Sequence, residues 1–82
     1  MIYQTLNDQG VDLLKKHQFN DALIFFEKAL EVKSDFVDAL NNLGQVQQKL
    51  GKLDHAVRSY KKVVALDSNY ALESENKILS VI

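Results

Sequence analysis

The side chains in this 82-residue chain with the means to do chemistry are two histidines, eleven carboxylates and the serines. A histidine ligates a metal or moves a proton when a second group of matching role stands at a fixed spacing from it. His17 and His55 lie in separate halves of the chain, and neither belongs to a set of residues at metal-ligand spacing. The serines have no histidine or lysine partner at a recognisable spacing, and the carboxylates are scattered over what read as helix surfaces. The three glycines are too far apart to form a loop that cradles a phosphate. With no cysteine there is no thiolate metal site, no cysteine nucleophile and no disulfide. The expectation is a chain that is not an enzyme and has no cofactor and no metal.

Binding is the remaining kind of chemistry. Arg58, Lys61 and Lys62 form a basic group, which on an amphipathic helix reads as a solvated face. Ile24 and Phe25 read as an outward apolar pair, a candidate contact site. The net charge is −1, and the first 34 residues carry four lysines against five acids, the rest six bases against six acids. That balance gives no polycationic footprint, so neither nucleic acid nor an anionic membrane surface is an expected partner. No apolar run reaches the length of a membrane span, and the opening MIYQTLNDQ lacks the regions of a signal peptide. A cytoplasmic location is the default expectation. At 46% hydrophobic and 26% charged, the composition is that of an ordinary folded domain.

The elements that must position any binding residues follow from an internal repeat. An offset of 34 residues aligns Leu6 with Leu40, Asn7 with Asn41, Gly10 with Gly44, Lys15 with Lys49, Ala22 with Ala56, Lys28 with Lys62 and Ser34 with Ser68. Phe26 falls on Tyr60 and Phe36 on Tyr70. Within each unit the apolar spacing is helical: Leu6, Gly10, Leu13 and Leu14, then Ala22, Phe26 and Ala29; Ala39, Leu43, Val46 and Leu50, then Ala56, Tyr60 and Val63. Short breaks separate the stripes, so each unit is a hairpin of two antiparallel helices. Gly10 faces Ala22 and Gly44 faces Ala56, an approach close enough for Phe26 and Tyr60 to wedge between neighbours. His17 aligns with Gly51 at the turn, a position where positive φ is expected and which histidine tolerates better than most residues.

This pattern resembles the tetratricopeptide repeat, carried by Leu40, Leu43, Gly44, Ala56 and Tyr60 in the second unit and by Leu6, Gly10, Leu13, Ala22 and Phe26 in the first. It departs from the family where Leu6 and Leu40 replace a frequent Trp, Leu13 and Gln47 a frequent Tyr, and Ser34 and Ser68 a Pro. The resemblance implies an all-α fold, an α-α superhelix (solenoid) of helix-turn-helix hairpins with five helices. Its parts would be repeat one at 3–36, repeat two at 37–70 and a C-terminal capping helix at 71–82, together one domain. That last helix ends with Ile78, Leu79, Val81 and Ile82, more apolar than a solvated end requires.

The resemblance also implies a function: a protein-protein interaction module that receives a partner peptide or helix in a concave groove lined by the first helix of each repeat. Carried over position by position, the partner-binding residues are Asn7, Val11 and Leu14; Asp38, Asn41, Asn42, Gln45 and Gln48; and Leu72 and Leu79. Gln4, Lys15, Lys49, Glu75 and Asn76 are carried over to the same concave surface. Amides both donate and accept, which suits them to a peptide backbone. Family members that grip a C-terminal carboxylate use basic and amide residues at positions that here hold Asn7, Val11, Asn42, Leu72 and Asn76. Only Asn42 fits, so that clamp is expected to be absent. The alternative is a structural element that forms a homodimer. Residues 31–38 contain neither Pro nor Gly, so a continuous helix there would send one hairpin onto a second chain, unless Asp35 caps and stops it. The apolar C-terminal helix offers a second route to a dimer.

Overall fold

In the computed structural model, which describes residues 1–67, 69 and 76–79, four helices follow one another: α1 (Ile2–Lys15), α2 (Phe19–Val32), α3 (Val37–Lys49) and α4 (Leu53–Leu66). Residues 76–79 are helical as well, inside the span of the expected cap; the rest of 71–82 lies outside the described residues. α1 packs on α2 and α3 on α4, α2 lies against α3, and α1 meets α3 more lightly. Each hairpin thus contacts its neighbour, the arrangement of a solenoid.

Both hairpin turns end the first helix in the same way. The Gln18 amide donates to the Leu13 carbonyl and the His17 amide to the Leu14 carbonyl; Lys52 and Gly51 repeat the pair on Gln47 and Gln48. This double bond pattern requires a left-handed residue just past the helix. Gly51 supplies it at φ 76°, and His17 supplies it at φ 60°.

The core forms where the hairpins meet. Ala22, Phe26, Leu43 and Val46 make one buried cluster, and Val11, Leu13, Leu14, Phe19, Leu23, Leu30 and Leu50 pack around it. Phe26 and Tyr60 have no exposed surface. The glycines make room for those two rings rather than for the alanines alone. A Cβ at Gly10 would lie 2.6 Å from Phe26 Cε1, and one at Gly44 2.5 Å from Tyr60 Cε1.

Between the hairpins the chain turns. Lys33 is extended at φ −140°, Phe36 at φ −75° and ψ 98° occupies the cap position of α3, and the Phe36 amide donates to the Lys33 carbonyl. The continuous helix through 31–38 needed for the swapped dimer is therefore not formed. Asp35 is not the cap either: its carboxylate lies 3.5 Å from Lys33 Nζ, one position before the cap. Propensity alone leaves this segment undecided, and tertiary contact decides it. The Phe36 ring meets Tyr3 edge-on at 4.9 Å, and the Lys33 ammonium stands 5.4 Å from the same Tyr3 ring, so the turn is clasped to the start of α1.

Candidate partner-binding groove

The carried-over positions belong to α1 and α3, and the fold spends several of their amides internally. Asn7 is buried, and its Oδ1 accepts the Asn42 Nδ2 at 3.0 Å across the two repeats. Asn41 Oδ1 accepts from Lys77 Nζ at 2.8 Å, while that ammonium also stands 5.7 Å from the centre of the Tyr60 ring. The residue that fits the carboxylate-gripping pattern, Asn42, is thus already bonded to Asn7. Val11 is half-buried and packs against the core cluster. Asp38 is exposed in the first turn of α3. Leu79 is 69% exposed, and Leu72 lies outside the described residues.

Four carried-over positions do come together. Leu14, Gln45, Gln48 and Lys49 line a hollow of about 560 Å³, with His17 and Phe19 completing its wall. The hollow lies at the turn end of the groove, where the close of α1 and the start of α2 face the last turns of α3. Leu14 and Phe19 are half-buried and give it an apolar side. The His17 ring is stacked on Phe19, with centroids 5.4 Å apart and planes 22° from parallel. Gln45 is half-exposed, and its side chain has no hydrogen-bond partner among the described residues. Gln48 Oε1 accepts from the Tyr60 hydroxyl at 3.3 Å.

Sequence reasoning left His17 and Phe19 out of the groove. The signal for Phe19 is an apolar residue directly after the turn, where the second unit has Leu53. For His17 the glycine-like alignment indicates backbone shape and carries no sign of what the ring would face.

The outer face also differs from expectation at one pair of positions. Ile24 is 47% exposed, but Phe25 is half-buried, with Lys28 Nζ 5.5 Å from its ring centre. Its counterpart Ser59 is buried and donates to Gln47 Oε1 at 2.7 Å. This position faces the first helix of its own hairpin. Repeat one places Leu13 and Phe25 at the two positions, and repeat two replaces them with the hydrogen-bonded pair Gln47 and Ser59. A buried amide is tolerated there because the hydroxyl satisfies it. Arg58, Lys61 and Lys62 are all exposed on α4, and His55 is exposed in its first turn.

Burial pushes the Tyr60 phenol up from 10.0 to about 12. The unfolded chain ionises this group first, so the stability tied to keeping it neutral is whole below pH 10 and is lost as pH rises toward 12. Unfolding free energies measured across that window should fall by on the order of 2–3 kcal/mol more in the parent than in Tyr60→Phe. Equal falls in both would show that the phenol is not protected.

Residues 37–70 match the family profile described as tetratricopeptide repeat. The chain is 33% identical over 69 residues to the Hsp70-Hsp90 organizing protein of Triticum aestivum, a match covering 83% of this chain and 12% of that protein. It is 29% identical over 79 residues to the Protein STIP1 homolog of Dictyostelium discoideum, covering 96% of this chain and 14% of the relative. It is also 29% identical over 66 residues to the chloroplastic tetratricopeptide repeat domain-containing protein PYG7 of Arabidopsis thaliana, covering 80% and 22% respectively. The chain therefore spans less than a quarter of the length of each of these relatives. No helix among the described residues is long and apolar enough to cross a membrane.

Proposed function

We propose that this chain, whose residues 37–70 match the tetratricopeptide-repeat family profile, is a protein-interaction module that holds a segment of a partner protein in the groove lined by α1 and α3. The observation that carries this reading is the hollow in which Leu14, Gln45 and Gln48 meet, with the Gln45 amide available to a peptide backbone. An extended segment lying along α3 would exchange backbone hydrogen bonds with that amide and set a side chain against Leu14. Asn42 and Asn7 support the groove by joining α3 to α1, Asn41 joins α3 to Lys77, and Asp38 stands at the groove's opposite end. The reading assigns no catalysis to the chain.

The relatives' printed names include an organiser of Hsp70 and Hsp90. For this chain the partner is a protein segment held without the family's carboxylate clamp, since Val11 and Asn76 occupy clamp positions and Asn42 is bonded to Asn7. The experiment is a titration of the chain and of Gln45→Ala with a pool of short peptides, followed by fluorescence anisotropy. Losing one backbone hydrogen bond costs about 0.5–1.5 kcal/mol, so Gln45→Ala should bind about two- to tenfold more weakly. Unchanged affinity would move the site away from the hollow.

A further inference from the structure

The lining of the hollow specifies more than a generic peptide. One side is apolar, from Leu14 and Phe19, and the opposite side is polar, from Gln45, Gln48 and Lys49. Among the described residues that line it there is no carboxylate, and Lys49 brings the one permanent charge. Lys49 is exposed where it lines the hollow. Asp12 and Asp21, the nearest acids in sequence on the facing elements, are exposed and are not part of the lining. The groove is also electrically polar along its length. Asp38 in the first turn of α3 and Lys49 at its end are 11 residues apart, about 16 Å at the helical rise of ~1.5 Å per residue.

Resting on the groove reading, we propose that the hollow takes a partner segment in which an apolar side chain stands beside an internal Asp or Glu. The apolar side chain enters between Leu14 and Phe19, the carboxylate meets the Lys49 ammonium, and Gln45 holds the backbone between them. Charge complementarity selects the occupant, because an acidic segment is attracted at Lys49 while a basic one is repelled there. The same polarity sets direction, with the segment's acidic part at the turn end and any basic part toward Asp38.

The probe is two pools of short fluorescent peptides, amidated at the C-terminus so that no terminal carboxylate is present. Both contain Leu, Phe, Ser and Gly, and they differ only in carrying Asp and Glu or Lys and Arg. Affinities are measured by anisotropy, with amide resonances recorded alongside. The acidic pool should bind about tenfold more tightly than the basic one, with shifts at Leu14, Phe19 and Gln45. Lys49→Gln should weaken the acidic pool about three- to fivefold, the scale of one exposed ion pair. Lys62→Gln on the outer face should leave the ratio unchanged. Lys49 is exposed, so neither variant threatens the fold. Equal binding of both pools at the groove, or a preference that survives Lys49→Gln, would overturn the acidic segment and leave the groove reading standing. Absence of shifts at the groove with either pool would overturn both.

Discussion

Tyr60→Ala should cost about 3–5 kcal/mol in urea or thermal unfolding, the largest effect of any single truncation in the second hairpin. The ring has no exposed surface, its edge fills the space left by Gly44, and its hydroxyl reaches Gln48 at 3.3 Å. Removing it leaves a cavity between α3 and α4 that neither helix can close while Val46, Ala56 and Val63 stay packed. A chain of this size has a total stability of roughly 4–12 kcal/mol, so the variant should lose about a quarter of it or more. Tyr60→Phe separates the ring from the hydroxyl. It should cost no more than about 1 kcal/mol, because a long hydrogen bond contributes little net stability. A loss below about 1 kcal/mol for Tyr60→Ala would mean that the hairpin does not depend on this ring.

Gly44→Ala is the second large effect, and its sign is the informative part. In an exposed helix interior the change would stabilise by about 1 kcal/mol. Here the new Cβ would lie 2.5 Å from Tyr60 Cε1 and 2.8 Å from both Cδ1 and Cζ. A ring enclosed on all sides cannot retreat without moving α4, and overpacking of this kind costs about 1–3 kcal/mol. The steric term therefore exceeds the propensity gain, and a net loss of up to about 2 kcal/mol is expected. In a Tyr60→Ala background the obstruction is gone, and the same substitution should become neutral or stabilising. The two residues should thus show a coupling well above the ~0.3–0.5 kcal/mol scatter of independent sites. Additive effects would contradict the contact.

Much of this was legible in the sequence because the repeat states it twice. Two copies of a Gly followed sixteen residues later by an aromatic ring, Gly10 with Phe26 and Gly44 with Tyr60, indicate a close helix approach that one copy would leave ambiguous. The alignment of His17 with Gly51 likewise indicates the left-handed turn that both residues adopt, at φ 60° and φ 76°. What escaped depends on geometry between units. Asn7 and Asn42 are 35 positions apart, and an amide on a polar helix face looks the same whether it is solvated or bonded across a repeat boundary. Phe25 read as an outward residue, whereas its counterpart Ser59 is buried and bonded to Gln47 on α3, a pairing that neither position shows by itself. The linker carried no Pro or Gly to settle its shape, and the contact of Phe36 with Tyr3 settled it instead. The hollow joins a turn of one repeat to a helix of the next, so no single helical stripe contains it.

On the proposed function, the α1 and α3 side of the molecule, and its turn end in particular, receives the partner. The most direct test is the map of amide resonance changes as the peptide pool is added. Shifts should concentrate at Leu14, His17, Phe19, Gln45 and Gln48, with Arg58 and Lys62 on the outer face of α4 unmoved, and Gln45→Ala should bind about two- to tenfold more weakly. Shifts centred on α4 or on Ile24 and Phe25, with Gln45→Ala binding as the parent does, would contradict it.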